Sequence, residues 1–203
     1  MKKQDPRVVR TQRLLKNAII ELMEEKEFDQ ITIQDISDRA TIKRVTFYLH
    51  YHDKHDLMMQ CANEILEETR EKVMATVSFN EYFDYLKNEP HPSFVELFHQ
   101  IAKHFFFYRA VLVTNRIPQV TDGLLNIIHE FISDGIHQVE PNDENLVASR
   151  DLIIKYVESA FLEVIIWWIE NDMHYSEYEI ARQLMNISIQ GPYKQPPLQK
   201  KNR

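Results

Sequence analysis

The apolar residues of this chain recur three and four apart almost from end to end, the stride of one helix after another. Leu15, Ala18, Ile19 and Leu22 mark the buried side of a first helix over about 7–26, with Pro6 near its start. Ile33, Ile36 and Ala40 mark a short second helix. Thr32 caps it, with Asp35 three residues on, the spacing of a capping box. In Lys43-Arg44-Val45-Thr46-Phe47-Tyr48-Leu49-His50-Tyr51, Phe47 and Tyr51 lie four apart and turn inward with Ile42. Arg44, Thr46, Tyr48 and His50 are left on the other side. Asp53 and Asp56 repeat the capping spacing and open a long helix over about 54–77. It is apolar at Leu57, Met58, Cys61, Ile65, Leu66 and Val73, and acidic at Glu64, Glu67, Glu68 and Glu71. About 20 residues of helix span about 30 Å, so this one reads as a lever between the N-terminal third and the rest.

Beyond it the pattern stays helical. Phe79, Tyr82, Phe83, Tyr85 and Leu86 predict a short helix or turn, broken at Pro90 and Pro92. Phe94, Leu97, Phe98, Ile101 and Phe105 predict a helix from Ser93. Phe105-Phe106-Phe107-Tyr108 is apolar all round, which predicts burial on several sides, and Pro118 ends the connection that follows. Val120, Leu124, Ile127, Ile128, Phe131, Ile132 and Ile136 predict a helix over 119–138, closed by the loop Glu140-Pro141-Asn142-Asp143. Two strongly apolar helices come last, over about 144–171 and 176–190. The first carries Tyr156, Val157, Ala160, Phe161, Val164, Ile165, Trp168 and Ile169, the second Tyr178, Ala181, Leu184, Met185 and Ile189. So much apolar surface predicts either association with a second copy or a core position, and Trp167 or Trp168 suits both. The expected fold is all-α.

Composition narrows the function. Of 203 residues only 3 are Gly, which argues against glycine-rich phosphate loops and tight hairpins. The lone Cys61 has no internal disulfide partner, as in a reducing, cytoplasmic setting. No apolar stretch follows MKKQDPR, so no signal peptide is expected, and no apolar run approaches the roughly 20 residues of a membrane span. The net charge of −7 is unevenly spread: residues 1–60 hold 11 Lys and Arg against 10 Asp and Glu, residues 61–190 hold 9 against 21, and residues 191–203 hold 4 against none. The middle repels phosphate and the N-terminal third does not. The arm 1–6 and the Pro- and Lys-rich tail 191–203 read as disordered.

A short helix with a basic, hydroxyl-rich outer face, propped on another short helix, suits a major groove. The motifs T-I-x-D-I-x-x-x-A at 32–40, T-F-Y-x-H-Y at 46–51 and D-K-x-D-L at 53–57 resemble the tetracycline-repressor-like (TetR/AcrR) family of bacterial transcription regulators, over roughly residues 8–60. The resemblance implies an N-terminal three-helix helix-turn-helix domain over 1–53. It also implies a helical ligand-binding and dimerisation domain over 54–190, whose last two helices pair with their copies. The family usually has Gly where this chain has Thr41, and often Ser at Lys43. A β-branched residue disfavours the left-handed region and Lys is a poor cap, so the turn before the reading helix is the expected point of strain. The region around Trp167-Trp168-Ile169-Glu170-Asn171-Asp172 looks loosely like the dihydroxyacetone-operon-regulator subgroup.

Candidate contacts follow. Arg44 is the first choice for base reading, since a guanidinium bonds two guanine acceptors at once. Thr46 suits a thymine methyl or a phosphate. Lys43, Tyr48, His50 and Lys54 suit phosphates, as does Thr32 if the second helix starts at the backbone. For His50 packing under the motif has equal claim. His50, His52 and His55 lack a thiolate and diverge on a helix, so no metal site is expected. His99 and His104 share no face. His99, His104, Tyr108, Arg109, Arg116 and Tyr156 are polar groups available to an aromatic effector pocket within 79–170, against the plainer reading that its aromatics are core. No cofactor and no convergent nucleophile, base or metal set is expected, so an enzyme ranks low. The reading is a ligand-responsive homodimeric regulator, more a repressor than an activator, on a near-palindromic double-stranded operator. The alternative is a co-regulator of the same fold acting through a partner protein.

Overall fold

The computed structural model describes residues 5–77 and 89–190. Among these residues there is no strand. Helix α1 is Pro6–Glu25; Asp5 caps it by accepting from the Arg7 N–H, and Pro6 occupies the first turn, where no backbone donor is needed. Leu15, Ala18, Ile19, Leu22 and Met23 form its buried side. A single tight turn, Phe28–Gln30, leads to α2, Ile33–Arg39, and then to α3, Arg44–Phe47. Helix α4, Lys54–Val77, starts where the Asp53 carboxylate accepts from the Asp56 N–H at 2.8 Å. Helices α5 (Pro92–Lys103) and α6 (Phe105–Tyr108) follow, and a π-helical turn over Arg109–Thr114 leads to α7 (Pro118–Val139). Helices α8 (Arg150–Glu170) and α9 (Glu177–Gln190) complete the fold. The expected segment at 78–88, the arm 1–4, the tail 191–203 and the side chain of Ile189 lie outside the described residues.

At 24 residues, α4 is about 36 Å long. Its first turns bury Leu57, Met58 and Cys61 in the same core as α1 and Phe47, and its later turns pack along α5 and α7. Polar ties fix it there. Arg70 grips Glu130 of α7 with two bonds, at 2.8 and 2.7 Å. Glu68 pairs with Lys103 and His104, and the Thr69 and Tyr108 hydroxyls meet at 3.0 Å inside the core. Gly123 lets α7 approach closely, since a Cβ there would stand 2.6 Å from a methyl of Leu66. Between α5, α7 and α8, the rings of Phe94, Phe131 and Phe161 meet edge to face at 5.0–5.7 Å.

Three expectations change. The first of the two last helices begins at Arg150, not near 144. Asn142 instead caps a tight turn over Asp143–Asn145, and Arg150 reaches back to Asp143 and to the Glu140 carbonyl, so the loop closes on the helix start. Val147 is fully exposed there, so no buried face draws these residues into the helix. Phe106 is not buried but 64% exposed; Phe107 and Tyr108 face the core. The connection before Pro118 is π-helical, and Arg116 ends it with φ of 48°. Trp168 takes the core role, its indole N–H donating to the Tyr175 carbonyl at 3.0 Å, while Trp167 stays exposed. Among the described residues, no helix is long and apolar enough to cross a membrane.

Candidate nucleic-acid interface

Helices α1 and α2 form the frame on which α3 stands. Thr32 and Asp35 complete the capping box: the Asp35 N–H donates to Thr32 Oγ1, and the Thr32 N–H and hydroxyl both donate to Asp35 Oδ2. Lys26 at the end of α1 adds a 2.9 Å ion pair to the same oxygen. That lysine first, then the two Thr32 donors, hold the Asp35 carboxyl down to about 2. Arg39 ties the far end of α2 to Glu25 at 2.7 Å and Glu21 at 3.3 Å of α1.

The strain that the sequence predicts falls at the turn into α3. Thr41 has φ of 56°, in the left-handed region. The Ile42 N–H donates to the Ser37 carbonyl at 2.9 Å and the Thr41 N–H to that of Asp38 at 3.0 Å, the two bonds of a Schellman motif. A β-branched residue therefore holds the position that favours glycine, because the hydrogen-bonded closure demands it. Lys43 begins α3 with no side-chain cap.

On α3 the inward and outward sides separate cleanly. Phe47 is fully buried and Tyr51 nearly so, with their ring centres 5.9 Å apart and Ile42 half-buried beside the core. Lys43, Arg44 and Tyr48 are exposed, and Thr46 and His50 are half-buried. An Arg44 guanidinium N–H donates to the Tyr48 hydroxyl at 3.2 Å, and the guanidinium carbon lies 5.7 Å from that ring's centre. The pair braces itself one turn apart while the remaining guanidinium donors stay unspent. His50 lies along Tyr51, with ring centres 6.4 Å apart. Two exposed apolar side chains belong to the same surface, Val45 at 65% and Leu49 at 77%. The inward–outward division of the helix predicts their exposure, but a search for polar contacts passes over them.

Two of the expected contacts have their donors engaged within the chain. The Lys54 ammonium donates to the carbonyls of Phe28, Asp29 and Ile31, each at 2.9 Å, and lies 4.8 Å from the Phe28 ring centre. All three of its donors are used, and they clamp the turn before α2. Thr32 has likewise given both of its donors to Asp35. A residue that sequence reading missed, Asn115, holds the same turn from the other side. Its Oδ1 accepts from the Phe28 N–H at 2.6 Å, and its Nδ2 donates to the Met23 and Ala110 carbonyls at 3.1 and 2.9 Å. The π-helical turn presents it to α1, a placement that no local pattern in the sequence encodes.

The histidines do not converge. His52 faces Asp53, His55 stands against the Phe28 ring, His99 faces Glu177 and His104 bonds Glu68. Among the described residues no group of three or more His, Cys, Asp or Glu could hold a metal ion. The six polar groups expected around a pocket are also dispersed: Tyr108 is buried against Thr69, Arg109 lies 3.7 Å from Glu24, and Tyr156 is exposed. An apolar cavity of about 330 Å³ opens elsewhere, between α5, α7, α8 and α9. Phe94, Phe131, Ile136, Leu146, Ile153 and Val157 line it, and Glu140 and Ser188 are its polar groups.

Residues 15–61 match the family described as "Bacterial regulatory proteins, tetR family", and residues 88–190 match "Transcriptional regulator C-terminal region". The chain is 25% identical over 194 residues, 94% of its length, to the uncharacterized HTH-type transcriptional regulator YxbF of Bacillus subtilis (strain 168), and it spans about half, 47%, of that relative. The fatty acid degradation regulator FadR from Bacillus halodurans superposes with a TM-score of 0.71 at 18% identity, covering 94% of this chain and 98% of that one. FadR from Bacillus subtilis, solved in complex with stearoyl-CoA, gives 0.67 at 16% identity, covering 89% and 99%. The dihydroxyacetone kinase operon activator DhaS gives 0.56 at 20% identity, covering 89% and 94%. At these identities the likeness to the solved structures is one of fold.

Proposed function

Because the chain belongs to the TetR family of bacterial transcriptional regulators, we propose that it is a ligand-responsive, homodimeric repressor that reads a near-palindromic operator with residues 43–50 of each copy. The observation that carries this reading is the Arg44–Tyr48 pair, exposed on α3 and backed by buried Phe47 and Tyr51. Arg44 reads a guanine, and Lys43, Thr46, Tyr48 and His50 position the helix on the phosphates around it. Residues 1–53 form the reading head and residues 54–190 the effector and dimer body, with α4 running from one to the other.

The dimer is supported by the outer side of α8. Leu152, Tyr156 and Trp167 fall on one stripe there and are 61%, 68% and 43% exposed in the single chain. Pairing α8 and α9 with their copies would cover that stripe and set the two α3 helices about one DNA turn, roughly 34–36 Å, apart. The effector we assign is a molecule with a long acyl chain. Bacillus subtilis FadR was crystallised with stearoyl-CoA, and the cavity between α5, α7, α8 and α9 has carbon-lined walls suited to such a chain. Each methylene buried there contributes about 0.8 kcal/mol. To release DNA, the effector must bind one spacing of the heads better than the other. Activation is the second reading, favoured by the operon activator that shares the fold.

The test is selection from a pool of random duplexes, followed by titration with acyl-CoA thioesters of increasing length. The expected result is a near-palindromic site that is retained, and released more readily as the chain lengthens. Failure to enrich any sequence would overturn the DNA-reading role; retention that no thioester alters would overturn the effector class alone.

A further inference from the structure

The outward surface of α3 and the turn that continues it carries two stripes. Arg44 and Tyr48 form the polar one. Val45 and Leu49, also four residues apart, form an apolar one beside it, more exposed than Tyr48. Resting on the DNA-reading function proposed above, we infer that Val45 and Leu49 are specificity-determining residues that contact the C5 methyl groups of thymines in each operator half-site, next to the base pair read by Arg44. The C5 methyl of thymine is the only apolar group that the standard bases present in the major groove. Two side chains are far too little surface for a protein partner, which needs about 800 Å² on each side. The cationic neighbours Lys43 and Arg44, both exposed, complement phosphate rather than an apolar protein face. Neither Val nor Leu has a donor or acceptor to offer a base edge, so shape and methyl contact are what they contribute. They discriminate thymine from cytosine where the polar stripe does not reach.

The inference is tested on the site selected by the wild-type chain. Each thymine is replaced in turn by deoxyuridine, which removes the methyl and keeps the pairing. The wild type is expected to weaken about fourfold at the one or two thymines of each half-site that face the apolar stripe. Val45→Ala and Leu49→Ala are expected to bind the unmodified site less well and to lose that sensitivity, each at its own thymine. Both positions are exposed, and matching thermal melts would show that the fold is intact. Wild-type binding indifferent to every deoxyuridine replacement would overturn the inference, as would sensitivity that survives in both variants. A wild-type chain that enriches no DNA removes the inference together with the function beneath it, whereas an enriched site without methyl dependence removes the inference alone.

Discussion

Thr41 shows how one residue can work against its own position. Its φ of 56° belongs to the left-handed region, which costs an L-residue about 1–2 kcal/mol, and it is β-branched as well. The two hydrogen bonds of the turn impose that conformation. Thr41→Gly should relieve it. The greater freedom of glycine in the unfolded chain offsets part of the gain, leaving about 1 kcal/mol, or roughly 2–4 °C in melting temperature. A thermal melt that falls in the variant would show that the Thr41 side chain contributes something its geometry does not reveal. Strain at this turn is legible in the sequence, because a missing glycine at a fixed motif position is a local signal. The Thr32–Asp35 capping box is legible too, but the clamp made by Lys54 is not. Lys54 looks like a free cation until folding brings it to the Phe28, Asp29 and Ile31 carbonyls, and main-chain acceptors leave no trace in a pattern of side chains.

At the scale of elements, capping governs where helices start and one such start depends on pH. The His91 imidazole caps α5: its Nδ1 accepts from the Ser93 N–H at 3.2 Å and lies 2.7 Å from the Ser93 hydroxyl. Burial holds its pKa below the ordinary 6.5. Only the ring with an unprotonated Nδ1 can accept, and the folded state binds fewer protons here than the unfolded chain. The stabilisation is therefore complete above about 6.5 and is lost as the pH falls below it. A side-chain cap contributes about 1 kcal/mol. Between pH 7.5 and 5.5 the wild type should lose roughly 2–4 °C more in melting temperature than His91→Asn, which caps in either range. Equal losses would detach the cap from the titration. The bodies of α1, α2, α4 and α7 are readable in advance because each has a single apolar side at helical spacing. The start of α8 is not, because residues 144–149 have no strong breaker and only the return of Arg150 to Asp143 and Glu140 closes the loop. The π-helical turn that delivers Asn115 to α1 is illegible for the same reason: its purpose is a contact made 87 and 92 residues away.

For the whole molecule, the proposed function requires two copies joined through α8 and α9 and two reading helices presented to one side of a duplex. Tyr156 lies with Leu152 and Trp167 on the exposed stripe of α8, so Tyr156→Glu should turn a sedimenting dimer into a monomer without lowering helix content. A variant that remains dimeric would move the interface elsewhere. The lever reading of α4 fits its length and its ties to α5, α6 and α7, while Asn115 and Lys54 hold the head at a second and third point. The proposed function rests above all on the Arg44 guanidinium reading a base. The most direct measurement is the affinity of wild type and Arg44→Ala for the selected operator and for its single-position variants. Arg44→Ala is expected to lose about 1–3 kcal/mol on the operator and to tolerate any base at one position of each half-site. An unchanged affinity, or an equal loss on every sequence, would contradict that expectation.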